Sequence, residues 1–312
     1  MTGTAMIRIF VAIAVLWLVT PAAMIAALAQ SPGGAADRGS AKRPTEEVIR
    51  IPRAGTKAGI VTRICHPRSA APAPLVVINH GRPAGANKEE RERKRRSLKP
   101  YPCGIVAHVF TSRGYVVASP VRRGSGETGG DDRENSGPCD RANFISPANA
   151  GADDVQAVIE HLKTLSYVKR ENTIVVGQSV GGLVTMALAS RNLKDVSAYI
   201  NFAGGHGGHR GGKPNNNCSP GNLVTAAAYF GKTVRSPMLW IYTENDSFFA
   251  PELSRRMHAA FTKEGGSARF EMLPPFRTAH TNDGHNLLFG AGGYKVWEPI
   301  VIGWLDATMK KR

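Results

Sequence analysis

The chain has 312 residues, of which 42% are hydrophobic and 21% charged, a balance typical of a globular protein that buries a sizeable core. This composition excludes a collagen, a coiled coil, a protein with many membrane spans and a disordered polyelectrolyte. With 40 basic and 24 acidic residues the formal charge is +16, which bears on the protein's surroundings and partners more than on its fold.

The first residues, 1–29, have the layout of a secretory signal peptide. Arg8 precedes an unbroken apolar run over 9–19, and small residues then lead to Ala27-Leu28-Ala29, a typical cleavage pattern. We therefore expect cleavage after Ala29, a periplasmic or secreted mature chain, and a flexible leader over 30–45. The alternative is an uncleaved anchor, because the apolar stretch from Ile9 to Leu28 is just long enough to span a bilayer.

The cysteines fit an exported chain, because their number, four, is even. We expect two disulfides, with three pairings left open, and the alternative is four buried free thiols. No two cysteines have C-x-x-C spacing, which argues against a zinc ribbon or a thioredoxin-type redox site. The four are Cys65, Cys103, Cys139 and Cys218.

From residue 46 onward strands and helices alternate, which predicts a single α/β catalytic domain over 46–312. Two short strands come first, and continuous β-branched runs then mark strands that are buried on both faces of a sheet. Helices with one apolar face lie between the strands. The predicted strands are Glu47–Pro52, Gly59–Cys65, Leu75–Asn79, Tyr115–Ser119, Thr173–Val176, Val196–Phe202, Met238–Tyr242 and Ala268–Leu273, and the predicted helices are Ile105–Ser112, Asp153–Leu165, Leu183–Ser190, Pro251–Lys263 and Val296–Met309.

This alternation predicts a mostly parallel central sheet with helices on both faces and an antiparallel edge formed by the first strands. Three segments are predicted to be irregular, namely 81–100, 122–150 and 203–236. Each follows the carboxyl end of a predicted strand, where open α/β sheets bind ligands. The sequence therefore predicts a ligand site at this edge of the sheet.

The segment Gly177-Gln178-Ser179-Val180-Gly181 is a G-x-S-x-G motif between a predicted strand and a predicted helix. In this context the serine sits on a tight, strained turn, and side chains at 177 or 181 would collide with the neighbouring strand or helix. The turn exposes the serine hydroxyl beside the positive end of the helix. We predict that Ser179 is a nucleophile, and the alternative is an ordinary serine in a glycine-rich turn.

A nucleophilic serine needs a base and an acid that orients the base, and in this fold class they follow in the order Ser, Asp or Glu, His. Asp246 comes just after the strand Met238–Tyr242 and is the predicted acid, with Glu244 as the alternative. His285 follows Asp-Gly in a loop after the last strand and is the predicted base, with His280 as the competing histidine.

The oxyanion of a tetrahedral intermediate needs two N–H donors. We predict the first at Val180, the residue after the nucleophile. We predict the second at Arg82, because the loop after strand Leu75–Asn79 reads His80-Gly81-Arg82-Pro83 and proline has no N–H. His80 is expected to brace this loop.

The motifs come in the order seen in α/β-hydrolases. They are LVVINHG, SPVRRGSG, VVGQSVGG, YTEND and DGH. The set resembles the dienelactone hydrolase-like branch, with some similarity to the catalytic domains of prolyl oligopeptidases. This resemblance, over roughly residues 70–310, implies the α/β-hydrolase fold, the triad Ser179, Asp246 and His285, no cofactor, and a bracing role for Arg122-Arg123-Gly124. True dienelactone hydrolases use a cysteine nucleophile, so lactone specificity does not carry over to a chain with Ser179.

Segment 88–96 has six bases and three acids and lies beside the predicted oxyanion loop. It is interpreted either as a solvated charged helix or as a rim that attracts anionic substrates or an anionic envelope surface. The run has no interleaved aromatic residues, which disfavours nucleic acid as a partner. His206-Gly-Gly-His209 has no third ligand at a suitable spacing, so no metal site is expected.

These observations together predict an exported serine hydrolase that acts on a small-molecule carboxylic ester through an acyl-enzyme. A serine peptidase or amidase of the prolyl oligopeptidase-like type is the alternative enzyme. A non-catalytic binding protein on a hydrolase scaffold is the alternative from another class, and the complete set of triad residues argues against it. The sequence leaves the acyl group, the alcohol and the oligomeric state open.

Overall fold

The computed structural model describes residues 45–310. The predicted signal peptide over 1–29 and all but the last residue of the predicted leader over 30–45 lie outside the described residues. No helix within 45–310 is both long and apolar enough to cross a membrane.

The described strands form one sheet in which the first strands run antiparallel and the rest parallel. They are β1 (Glu46–Ile51), β2 (Ile60–Cys65), β3 (Leu75–Asn79), β4 (Val116–Pro120), β5 (Thr173–Gln178), β6 (Val196–Phe202), β7 (Met238–Thr243) and β8 (Ala268–Leu273). Their order across the sheet is β1-β2-β4-β3-β5-β6-β7-β8. β2 pairs antiparallel with β1 and β4, whereas the strands from β4 to β8 pair in parallel. The predicted mostly parallel sheet with an antiparallel edge is confirmed.

Helices cover both faces of the sheet. They are α1 (Lys88–Arg96), α2 (Ile105–Thr111), α3 (Ile145–Leu162), α4 (Val180–Ala189), α5 (Pro220–Gly231), α6 (Pro251–Lys263) and α7 (Gly293–Met309). Neighbouring residues of β5 point to opposite faces of the sheet. Val175 packs in the apolar cluster with α3 to α6, and Val176 packs in the cluster with α2 and α7. This burial on both faces explains the continuous β-branched runs of the central strands.

Helices also occur in the segments that were predicted to be irregular. α5 lies within 203–236, where Leu223 and Phe230 are buried on one helix face, but its alanines and glycines give only a weak apolar pattern. α3 begins at Ile145 rather than at Asp153, because the small residues of its first turns are buried and carry little periodic signal. α1 coincides with the charged segment 88–96.

Two disulfides join the four cysteines, so their predicted number is confirmed. Cys65–Cys103 ties the end of β2 to the segment before α2. Cys139–Cys218 ties the segment before α3 to the segment before α5 across 79 residues of sequence. The second disulfide therefore fixes two of the long loops at the carboxyl edge of the sheet.

Candidate active site

Ser179 lies at the turn between β5 and α4. Its dihedral angles, φ 57° and ψ −124°, are ones that a residue with a side chain rarely adopts. A Cβ on Gly177 would meet the carbonyl oxygen of Gly181, and a Cβ on Gly181 would meet the carbonyl oxygens of Asn79 and His80. The strained turn predicted from the motif is therefore present, and both glycines are needed where backbones approach closely.

Asp246 and His285 lie against each other in the loops after β7 and β8. Nδ1 of His285 is 3.1 Å from both carboxylate oxygens of Asp246. Because an ionised carboxylate only accepts, the imidazole donates from Nδ1 and keeps a lone pair on Nε2. Asp246 is only 1% exposed, and its Oδ1 also accepts from the N–H groups of Phe248 and Phe249 at 2.7 Å and 2.9 Å. The carboxylate is thus held in one position against the imidazole.

Glu244 and His280 do not join this pair. Both residues are exposed, and within 45–310 neither side chain makes a hydrogen bond to Asp246 or His285. The backbone N–H of His280 instead donates to the Thr278 hydroxyl at 3.1 Å. The structure brings together the acid and the base favoured by the sequence rather than their competitors.

Gln178 connects the histidine turn to the serine turn. Gln178 directly precedes Ser179 in the chain, and its Nε2 donates to the carbonyl oxygen of His285 at 3.1 Å. Among the described residues the Ser179 hydroxyl makes no hydrogen bond to His285. Catalytic hydrogen bonds of this kind are often long without a bound substrate and tighten in the complex.

The loop after β3 passes next to Ser179. A Cβ on Gly81 would lie 2.9 Å from the Cβ of Ser179, so only glycine fits at this approach. The N–H groups of Arg82 and Val180, the two predicted oxyanion donors, have no protein acceptor in the described part of the chain. Both groups are therefore free to donate to a bound molecule.

His80 braces this loop, as expected from the sequence. Its Nδ1 lies 2.8 Å from the carbonyl oxygen of Gly81, and its Nε2 accepts from the N–H of Arg122 at 3.1 Å. Burial, together with the charge of Arg122, lowers the pKa of His80 to about 3. The imidazole is thus neutral at ordinary pH, as these hydrogen bonds require.

A buried ion pair holds the loop from below. Nε of Arg122 donates to Glu134 at 2.5 Å, and Nη2 donates both to Glu134 at 3.0 Å and to the carbonyl oxygen of His80 at 2.8 Å. Burial acts to raise the pKa of Glu134, but the charge and hydrogen bonds of Arg122 outweigh it and lower the pKa to about 2. The Arg122-Arg123-Gly124 turn therefore has the bracing role that the family resemblance implied.

A cavity of about 480 Å³ opens beside Ser179, within the size range of small-molecule sites. The loop after β3 and helix α1 form one side, and the aromatic residues after Asp246 together with the disulfide Cys139–Cys218 lie on the others. Its charged lining residues are Arg82, Lys88, Arg91, Glu92, Arg95, Asp132 and Arg210. The guanidinium of Arg82 binds Asp132 through two hydrogen bonds of 2.6 Å and 2.7 Å, which fixes the side chain of the predicted oxyanion donor.

His206 and His209 line the same cavity but are held by different partners. The ring of His206 bonds through Nε2 to the carbonyl oxygen of Glu134 at 3.0 Å, and burial lowers its pKa to about 4. The ring of His209 bonds to the Ser247 hydroxyl at 2.8 Å. No group of three or more metal-ligating side chains occurs within 45–310.

Sequence reasoning missed the residues that support the histidine. The ring of Phe248 stacks on His285 with a centroid distance of 4.1 Å, and Asp283 accepts from the His285 N–H at 3.0 Å. An aspartate that accepts from the backbone two residues on has a local signal, the Asp-Gly turn. The stacking of Phe248 has none, because it depends on how two distant loops pack.

Comparisons with known proteins bear on the family and the fold of the chain. The model of the dienelactone hydrolase family matches residues 101–295. No curated protein sequence gives a significant match.

Solved structures share the fold. Acylaminoacyl peptidase from Pyrococcus horikoshii superposes with a TM-score of 0.58 at 15% identity, over 84% of this chain and 41% of that one. Dipeptidyl peptidase 4 from Porphyromonas gingivalis gives 0.57 at 16% identity, over 84% and 35%. Est1E from Butyrivibrio proteoclasticus, solved with ferulic acid bound, gives 0.53 at 15% identity, over 81% and 97%. The chain thus spans less than half of each peptidase, and these likenesses establish the α/β-hydrolase fold.

Proposed function

The chain belongs to the dienelactone hydrolase family, and we propose that it is a serine hydrolase with Ser179 as nucleophile, His285 as base and Asp246 as the acid that orients the base. The observation that carries this proposal is the buried Asp246–His285 pair, which a hydrogen bond from Gln178 ties to the strained strand-to-helix turn that holds Ser179. Strain at a residue with a side chain is typical of functional sites.

The proposed reaction proceeds through an acyl-enzyme. Oγ of Ser179 attacks the carbonyl carbon while Nε2 of His285 takes the hydroxyl proton, and the N–H groups of Arg82 and Val180 donate to the oxyanion. The leaving alcohol departs with the proton that His285 returns. A water molecule then attacks the acyl-enzyme, again with His285 as base, and releases the acid and the free Ser179 hydroxyl. Asp246 stabilises the imidazolium in both steps.

A carboxylic ester is the proposed substrate class. The cavity of about 480 Å³ fits a small acyl compound, and Est1E, which carries ferulic acid in its structure, is matched over nearly its whole length. A serine peptidase or amidase is the second candidate, favoured by the likeness to the acylaminoacyl peptidase and the dipeptidyl peptidase. No cofactor takes part in either reaction as proposed.

We also propose that the protein is exported to the periplasm or beyond after cleavage at Ala29. The apolar run and small residues of 1–29 support this proposal. So do the two disulfides, because disulfides persist mainly in oxidising compartments. In that location an anionic envelope surface is a candidate partner for the basic helix α1.

A fluorophosphonate probe tests the nucleophile. We expect the probe to label the wild-type protein at Ser179, and Ser179→Ala to abolish labelling and to lower kcat on esters by at least about 10⁴-fold. Ser190→Ala, at the other end of α4, is the matched control and should be labelled normally. Labelling of Ser179→Ala at the wild-type rate would contradict the assignment.

Parallel panels of 4-nitrophenyl esters and peptide 4-nitroanilides test the substrate class. The ester proposal predicts Ser179-dependent turnover of the esters, with a dependence on acyl length, and little turnover of the anilides. Faster Ser179-dependent cleavage of the anilides would favour the peptidase.

A further inference from the structure

The imidazole of His209 lies near the proposed base His285, with the ring of Phe248 between them. The ring of His209 stacks on Phe248 at a centroid distance of 3.7 Å and an angle of 6°, and His285 stacks on the opposite face at 4.1 Å. One aromatic ring therefore separates the two imidazoles. His209 also lines the cavity beside Ser179.

A hydrogen-bonded relay orients the ring of His209. Nε2 of His209 lies 2.8 Å from Oγ of Ser247, which in turn donates to Oδ2 of Asp283 at 2.6 Å. Because the carboxylate only accepts, the hydroxyl proton of Ser247 points to Asp283, and the Ser247 oxygen accepts from N–H at Nε2 of His209. The tautomer that this network selects has its proton on Nε2 and its lone pair on Nδ1.

The same aspartate holds the turn of the proposed base. Oδ1 of Asp283 accepts from the backbone N–H groups of Ser247 and His285, both at 3.0 Å. The segment after His209 is fastened to the same loop, because the side-chain amide of Asn217 donates to the carbonyl oxygen of Phe248 at 2.7 Å. The two imidazoles are thus parts of one rigid assembly.

His209 is held in an unfavourable backbone conformation. Its φ of 57° lies in the left-handed region, which residues with a side chain adopt rarely. Within 45–310 its Nδ1 has no hydrogen-bond partner. A strained, oriented ring with one unused acceptor at the wall of a catalytic cavity is suited to binding a ligand.

We propose that His209 is a substrate-binding residue, whose Nδ1 accepts a hydrogen bond from a hydroxyl or N–H group of the substrate. The favoured substrates are esters in which the distance from the reacting carbonyl to such a donor matches the separation of His285 from His209 across the ring of Phe248. Ser247 is a positioning residue in this assembly, because it fixes the ring without touching the substrate. This inference rests on the proposed function and adds a specificity element to it.

The test uses two methyl esters, methyl 4-hydroxyphenylacetate and methyl 3-(4-hydroxyphenyl)propionate, each paired with its 4-methoxy counterpart. The methoxy group removes the hydrogen-bond donor, and the longer chain varies the reach of the donor. In the wild type we expect at least one hydroxyl ester to exceed its methoxy partner in kcat/KM by about tenfold, mainly through KM. His209→Phe keeps an aromatic ring to stack on Phe248 but has no acceptor, so it should abolish this preference by raising KM for the hydroxyl ester.

Further variants separate binding from folding. His209→Asn suits the left-handed backbone conformation and should also lose the preference, so the test does not depend on one variant being stable. Ser247→Ala should reduce the preference, because the ring is no longer held in one tautomer. His280→Phe, an exposed histidine outside the cavity, should retain it.

Two results would overturn the inference. One is equal kcat/KM for both members of every pair in the wild type, and the other is an unchanged preference in both His209 variants. Competition of the free 4-hydroxyphenyl and 4-methoxyphenyl acids against fluorophosphonate labelling reads the same selectivity without turnover. Selective protection without ester turnover would therefore count against the ester proposal alone, and ester turnover without selectivity would count against the inference alone.

Discussion

Two regions that meet at the cavity differ in how their charges are arranged. We call the first the reaction edge, which consists of Ser179, Asp246, His285 and the loop 80–82. We call the second the basic wall, which consists of α1 together with the guanidinium groups of Arg82 and Arg210; the backbone of Arg82 belongs to the reaction edge. At the reaction edge Asp246 is bonded to His285 and to two backbone N–H groups, and the ion pair of Arg122 and Glu134 lies beneath the loop.

The basic wall is charged and only partly paired. The lysine and arginine side chains of the cavity lining number five and the carboxylates two, which gives these seven groups a net charge of +3. Asp132 binds Arg82 and Glu92 binds Arg95. No carboxylate of the described residues lies within 4.0 Å of the cationic groups of Lys88, Arg91 or Arg210.

This difference indicates a division of roles. Proton transfer needs groups that are fixed to within a few tenths of an ångström, which the bonded network of the reaction edge supplies. Unpaired cations at a cavity mouth act at longer range and alter which molecules enter. Changes at the reaction edge should therefore affect kcat strongly, and changes at the basic wall should affect KM weakly.

After loss of the nucleophile itself, the largest expected effect is at the base. His285→Ala should lower kcat by about three orders of magnitude or more, because the proton of Ser179 then has no acceptor. His280→Ala is the control, since this exposed histidine has no contact with Asp246. Ester kinetics with both variants check this, and comparable losses at the two positions would leave the base unassigned.

The reaction edge could be predicted because its signals are local in the sequence. A β-branched strand, two glycines around Ser179 and an acid or histidine just past a strand end are each visible in a few residues. Since parallel strands bring their carboxyl ends to one edge of a sheet, the order of the motifs then places these residues together.

The basic wall and its neighbours could not be predicted in the same way. The stacking of Phe248 between two imidazoles, and the pairing of Cys139 with Cys218, depend on loops far apart in sequence. α5 was missed because alanine and glycine give little periodic contrast even where they are buried. The charge of segment 88–96 was visible, but not which of its cations face the cavity.

The disulfide Cys139–Cys218 lines the cavity without belonging to the reaction edge or to the basic wall, so its removal tests whether the cavity walls affect KM. Removing Cys139–Cys218 by serine substitution should lower the free energy of unfolding by about 4 kcal/mol, from the loop-closure entropy of 79 residues. Because this bond lines the cavity, KM should also rise. Denaturant unfolding and ester kinetics at a temperature where the variant is folded measure both effects.

The other disulfide is the matched control. Cys65–Cys103 closes 38 residues, which also corresponds to about 4 kcal/mol, but it does not line the cavity. Serine variants at these positions should be destabilised to a similar degree with KM unchanged. If KM rose equally for both disulfides, the cavity effect would be a general result of lower stability.

The smallest expected effect concerns single cations of α1. Arg91 lines the cavity, and Arg93 lies two residues away on the same helix, does not line it and is exposed as Arg91 is. We expect Arg91→Gln to lower kcat/KM for mono-4-nitrophenyl adipate by about fivefold, through a higher KM. For the 4-nitrophenyl ester of the corresponding monoamide, which has no carboxylate, kcat/KM should be unchanged. Arg93→Gln removes the same charge from the same helix and should have little effect on either ester. Arg95 is unsuitable for this test, because it is buried and paired with Glu92.

Added salt separates contact from steering at a distance. The Debye length falls from about 10 Å at 0.1 M to about 3 Å at 1 M ionic strength, so a purely long-range attraction would disappear over this range. If the basic wall steers substrates only through its total charge, Arg91→Gln and Arg93→Gln should lower kcat/KM for the adipate ester by the same small factor. At 1 M salt both variants should then match the wild type. If Arg91 binds the carboxylate directly, its variant should remain distinct from that of Arg93 at 1 M. Equal kinetics of all three proteins on both esters at low salt would mean that Arg91 and Arg93 take no part in selecting the substrate, and that their charges serve solubility or envelope contact.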